Sequence, residues 1–111
     1  MVGLAISARL LNRDPLYAGQ IIAHELGHAL GLFHSTEATL LAAGEEASIH
    51  DGFSDTAACP AGSDRNEDGI LSSAECQNFD ADNLMFWGTP RGAISLSASQ
   101  ADVARRSLLA R

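Results

Sequence analysis

His24-Glu25-Leu26-Gly27-His28-Ala29-Leu30-Gly31-Leu32-Phe33-His34 is the stretch on which the reading of this chain turns. His24 and His28 stand four residues apart, so on a helix their imidazoles leave one face, one turn apart. That spacing lets both reach a single zinc ion at about 2.0–2.1 Å. Glu25 follows the first histidine and can reach a metal-bound water without itself being a ligand. His34 lies six residues beyond His28. On a continuing helix it would sit about 9 Å further along the axis. It joins the other two only if the helix ends between them and the chain turns back. Gly31 stands where that turn is needed, because glycine accepts the left-handed backbone found just past helix ends.

Working outward, Asn12-Arg13-Asp14-Pro15 reads as the start of this helix, with Asp14 as N-cap and Pro15 at the first helical position. Residues 2–9 form either one short strand or an apolar lead-in. Downstream, residues 35–49 are Ala-rich and mildly helical, interrupted by Gly44. Residues 50–95 are crowded with Gly, Asp, Asn, Ser and Pro and show no sustained period. So long an irregular stretch needs a metal or a cross-link to hold it. Ser97-Ala98-Ser99-Gln100 has the form of a capping box, and predicts a helix to about residue 108 with Arg105 and Arg106 near its C-terminal end.

Asp64-Arg65-Asn66-Glu67-Asp68-Gly69-Ile70-Leu71-Ser72-Ser73-Ala74-Glu75 fits the twelve-residue EF-hand loop. Asp64, Asn66 and Asp68 supply oxygens at positions 1, 3 and 5, and Gly69 is the glycine at 6. Ile70 offers its carbonyl at 7, Ser72 stands at 9, and Glu75 at 12 can be bidentate. The expected ion is calcium. The flanks lack paired helices, so the resemblance is to the loop alone. Cys59 and Cys76 bracket it; they would pair in a secreted protein and stay reduced in cytosol. The segment between them has little apolar content, so burial is not expected to fix its shape. Asp51 and Asp55 are read as solvated carboxylates rather than a further calcium site, and His50 as an ordinary histidine.

The histidine segment matches, at every fixed position, the HExxHxxGxxH signature of the metzincin metallopeptidases, and the chain resembles that family. Asp82-Asn83-Leu84-Met85-Phe86-Trp87 looks like its Met-turn, with Met85 beneath the histidines. Asp55-Thr56 followed by Cys59-Pro60, and the helix after Leu96-Ser97, are similar to the pappalysin-like branch. The histidine motif, its spacing and the Met-turn together cover roughly residues 15–90. Trp87 departs from the pattern: it stands where a tyrosine often assists the tetrahedral intermediate, and it offers an indole N–H instead. The resemblance implies an α+β, zincin-like catalytic domain over residues 1–111, made of the active-site helix, an irregular C-terminal subdomain and a closing helix. About fourteen residues precede that helix, so the N-terminal sheet of such a domain is largely missing, and a fragment is expected. It further implies structural roles for Gly31, Met85, Cys59 and Cys76, and a secreted protein, although residues 1–6 make a poor signal peptide.

The implied function is a zinc-dependent endopeptidase. His24, His28 and His34 hold zinc, and Glu25 acts as general base toward a zinc-bound water. The alternative is an inactive or truncated module that binds zinc and calcium; a partner-binding toxin or inhibitor, favoured by an exposed apolar patch over residues 2–6, is a further class. Protein or peptide is the expected substrate and a monomer the expected state. A net charge of −7, from 14 acidic and 7 basic side chains, excludes nucleic acid as a natural partner. No stretch reaches the roughly 18 apolar residues of a membrane span. Aromatics make up only 5% of the chain, which predicts a core of Leu, Ile, Val and Ala.

Overall fold

The computed structural model describes residues 7–39, 51–92 and 94–109. These form α1 (Ala8–Arg13), α2 (Pro15–Ala29), a 3-10 turn (Ala61–Ser63) and α3 (Ala98–Leu109). Among the described residues β structure is confined to two isolated bridges, Thr39 with Ile70 and Asn83 with Ser95. The sheet of the expected α+β domain has no counterpart in this set. Residues 2–6 of the proposed strand and patch, residues 40–49 of the Ala-rich segment, and His50 lie outside it.

Two local expectations need correcting. Ala8 and Arg9 are helical, not extended: α1 is a short helix capped by Ser7, whose hydroxyl accepts from Leu10 N–H. It stops at Asp14 because Pro15 has no N–H to continue the ladder and disfavours helical backbone in the residue before it. Residues 35–39 are likewise not helical; they run as bends into the Thr39 bridge.

Helix α2 begins as its sequence dictates, with the Asp14 carboxylate accepting from Tyr17 N–H at 3.1 Å and Pro15 in the first turn. It ends in a Schellman motif. Leu32 N–H returns to Gly27 O at 2.9 Å, Gly31 N–H to His28 O at 3.0 Å, and Gly31 takes φ +96°. The chain reverses there and passes under the helix. Helix α3 opens on a complete capping box: Gln100 N–H donates to Ser97 Oγ at 3.1 Å, and Ser97 N–H to Gln100 Oε1 at 2.9 Å.

Among the described residues the core shares the expected aliphatics, Ala18, Leu32, Leu71 and Leu84, with Cys59, Cys76, Met85 and Phe86. The largest fully buried side chains in this set are Phe86, Met85, Gln100, Cys59, Cys76 and Ser35. Leu32, Leu84 and Met85 form one cluster, against which Ala23 of α2 and Val103 and Ala104 of α3 pack. Cys59, Leu71, Cys76 and Phe86 form the other, beneath the acidic loop, with Cys59 and Cys76 joined in a disulfide. Burial therefore does help shape the segment between the cysteines, because Leu71 is turned inward while Ile70 faces out. Consecutive residues of the 84–86 turn feed both clusters, so this turn is the hub of the fold. Elsewhere α2 presents apolar side chains to solvent: Leu16 and Leu26 are exposed, as is Phe33 beyond its end.

Candidate metal centre

The reversal at Gly31 brings the three histidines together. His34 Nε2 lies 3.3 Å from His24 Nε2 and 3.1 Å from His28 Nε2. Two zinc–nitrogen bonds of about 2.0–2.1 Å at a tetrahedral angle span roughly 3.3 Å, so the spacing suits one ion.

The other ring nitrogen of each histidine settles what these atoms are. His24 Nδ1 meets Leu84 O at 2.7 Å, His28 Nδ1 meets Leu32 O at 2.8 Å, and His34 Nδ1 meets Glu37 Oε2 at 3.3 Å. Carbonyl and carboxylate oxygens accept only, so each Nδ1 is the donor of its pair, and in the neutral imidazole each Nε2 then presents a lone pair. In that form three lone pairs converge within hydrogen-bond distance with no donor among them. That arrangement is repulsive unless a cation or proton sits at its centre, and the Nδ1 partners are of the kind that orient metal-bound histidines. His24 is buried, and burial is the main cause that lowers its pKa; the Leu84 carbonyl and Glu25 oppose this, while His28 and His34 add to it. Neutral imidazole, the form that binds metal, is favoured. Glu25, half-buried, follows His24 on α2 and is absent from the converging set.

Met85 lies directly against the histidine-bearing helix α2. A Cβ on Gly27 would stand 2.5 Å from Met85 Sδ, so Gly27 permits the close approach. Met85 O accepts from Ser35 N–H at 2.9 Å, which ties the residue after His34 to the same turn. Ser35 and Thr36 also donate to Asp80 Oδ2, at 2.5 and 2.6 Å, and Thr36 Oγ1 accepts from Cys59 N–H. Asp80 is buried, and burial raises its pKa above the ordinary carboxylate value against the pull of those two hydroxyls. Its Oδ1 has no hydrogen-bond partner among the described residues.

Trp87, whose place in the turn left its role open, has a structural partner. Its indole N–H donates to Leu71 O at 2.7 Å and fastens the turn to the acidic loop. Within that loop Asp64, Asp68 and Glu75 converge, with ligand atoms within 4.8 Å of one another. Backbone N–H groups wrap the carboxylates: Gly69 N donates to Asp64 Oδ2, Ile70 N to Asp68 Oδ1, and Arg65 N to Glu75 Oε2. Bonds from the Ser72 backbone and hydroxyl hold the Glu75 carboxyl below its usual pKa. Gly69 takes φ +78°, as position 6 requires, and Asn66 lies beside Asp68 at 3.3 Å. Of the two carboxylates read as solvated, Asp55 is exposed, with its Oδ2 accepting from Ser99 N–H in the first turn of α3, whereas Asp51 is half-buried and its Oδ1 accepts from Thr56 Oγ1 at 2.7 Å.

Gly27, Glu37, Asp80 and Asn83, which contact the histidines or the turn and segment packed against them, were not singled out from the sequence. Of these, only Glu37 had a sequence signal, a carboxylate three residues after a ligand histidine. A cleft of about 610 Å³ beside α2, lined by Tyr17, Asp82, Thr89 and Arg91, does not include the histidines. Among the described residues no helix is long and apolar enough to cross a membrane. Compared with models of protein families, with curated proteins and with solved structures, the chain finds no match.

Proposed function

We propose that this chain carries the zinc centre of a metzincin-like endopeptidase and hydrolyses peptide bonds in proteins. The observation that carries the reading is the convergence of three Nε2 lone pairs, each imidazole oriented from behind by an oxygen. Three protein ligands leave a fourth position open, which distinguishes a catalytic from a closed structural site. Zinc bound there supplies Lewis acidity toward a water and toward a carbonyl oxygen. Glu25 accepts the proton of the attacking water and returns it to the leaving amine, so no covalent adduct with the chain is needed. Leu84 O, Leu32 O and Glu37 hold the three imidazoles in place. The loop over residues 64–75 binds calcium through Asp64, Asn66, Asp68, the Ile70 carbonyl and Glu75, a reading supported by its converging carboxylates and by Gly69. The Cys59–Cys76 bridge supports an oxidising, extracellular setting.

The test compares zinc content and casein hydrolysis in Glu25→Ala and His28→Ala. The first variant is expected to keep zinc and lose nearly all turnover, and the second to lose both. Full activity in Glu25→Ala would overturn the mechanism. Zinc binding without turnover in the unaltered chain would instead favour the non-catalytic module.

A further inference from the structure

Behind His24 lies a relay of buried amides that ends in the C-terminal helix. The peptide group joining Leu84 to Met85 is planar and rigid, and both of its polar ends are in use. Its C=O accepts from His24 Nδ1 at 2.7 Å, and its N–H donates to Asn83 Oδ1 at 2.9 Å. The orientation of the imidazole is thus set by a peptide that the Asn83 side chain anchors.

An asparagine amide can do this only if its oxygen, not its nitrogen, faces the Met85 N–H. Gln100 decides that. Its Nε2 donates to Asn83 Oδ1 at 3.0 Å and its Oε1 accepts from Asn83 Nδ2 at 2.9 Å. Gln100 is in turn fixed in one sense, because Oε1 also accepts from the Ser97 backbone N–H. Both amides are buried, Gln100 at 0% exposure, so neither can exchange its partner for water. Turning either amide over would set donor against donor at Met85 or at Ser97, a buried clash that the relay forbids.

We propose that Gln100, besides capping α3, is a positioning residue for the metal centre: through Asn83 and the Leu84–Met85 peptide it fixes the imidazole of His24 toward the ion. The inference rests on the zinc reading above. It makes the C-terminal helix part of the metal site although, among the described residues, no hydrogen bond or ion pair joins its side chains to His24, His28 or His34.

The experiment measures zinc affinity of the full chain by competition with a chromophoric chelator, and the visible spectrum after cobalt substitution. Loss of an orienting partner typically lowers metal affinity by about 10–100-fold. Gln100→Ala is expected to bind zinc about tenfold more weakly with an altered cobalt spectrum. Ser97→Ala removes the capping hydroxyl but keeps the backbone N–H that orients Gln100, so affinity and spectrum should not change. Asn83→Ala should lose at least as much as Gln100→Ala, and the double variant no more than Asn83→Ala, since both act on one peptide. Where metal-free Gln100→Ala shows no cooperative melting, Gln100→Glu replaces it, keeping the acceptor for Ser97 N–H but setting a carboxylate oxygen against Asn83 Oδ1, with a loss in the same direction. Unchanged affinity in the Gln100 variant beside a zinc-binding unaltered chain overturns the inference alone, as does an equal loss in Ser97→Ala. An unaltered chain that binds no zinc overturns the zinc reading and this inference with it.

Discussion

Replacing Gly27 by alanine sets helix propensity against packing, and the two effects have opposite signs. Alanine in a helix interior is favoured over glycine by about 1 kcal/mol. Against that, the new Cβ would stand 2.5 Å from Met85 Sδ and 3.2 Å from its Cε. Ordinary contact between such atoms is about 3.5–4.0 Å, so helix and methionine must part by roughly 1 Å. Met85 has no solvent to retreat into, being fully buried against Leu32 and Leu84. Overpacking of this kind costs about 1–3 kcal/mol, which leaves Gly27→Ala less stable by about 1 kcal/mol. For a domain near this size that is a fall of about 4 °C in melting temperature. The shift also moves the turn whose atoms hold Ser35 N–H and His24 Nδ1, so zinc affinity should drop in parallel. Thermal melting in a chelator, followed by zinc competition, reads the two effects separately. A variant that melts higher by about 4 °C with unchanged zinc affinity would show that propensity alone acts and that Met85 does not press on the helix.

Two other perturbations test the rest of the site. Asp68→Ala should weaken calcium binding and leave the zinc ligands intact; calcium at about a hundredfold over its dissociation constant adds about 2.7 kcal/mol to the unaltered chain and little to the variant. Melting curves indifferent to calcium in both chains would reduce the loop to a solvated turn. Asp80, whose folded pKa is raised by burial, should make stability fall as pH rises: below the ordinary carboxylate range both folded and unfolded chains hold the proton, and above it only the folded chain still does, until it too ionises at a cost. Asp80→Asn keeps an acceptor for Ser35 and Thr36 and should flatten that part of the pH–stability profile, measured by denaturant melts of metal-free chain; an unchanged profile would mean that another group titrates there.

What the sequence determined by itself was local. Asp14 and Pro15 start α2, Gly31 ends it, Ser97 and Gln100 cap α3, and Gly69 takes the left-handed backbone of its loop; each involves residues within one helical turn or one tight turn of each other. The same local logic brought three histidines and a loop of carboxylates to notice, because ligand spacing is a property of a helix or a turn. Helix α1 was missed because it is only 6 residues long and its cap, Ser7, follows an apolar run that reads equally well as strand. The remainder belongs to the tertiary structure. Leu84 O stands 60 residues from the imidazole it orients, and Asn83 stands 17 from Gln100. Backbone carbonyls carry no sequence signal, and a buried amide reads in the sequence like any exposed one. Trp87 shows the limit most plainly: its place in the turn left its role open, and only the tertiary structure gives its indole N–H a partner, the Leu71 carbonyl of the acidic loop, with the ring against the Phe86 and Leu71 cluster. Local chemistry thus decides where the chain bends, which histidines it can offer and which oxygens stand behind His28 and His34, and only packing decides which one stands behind His24.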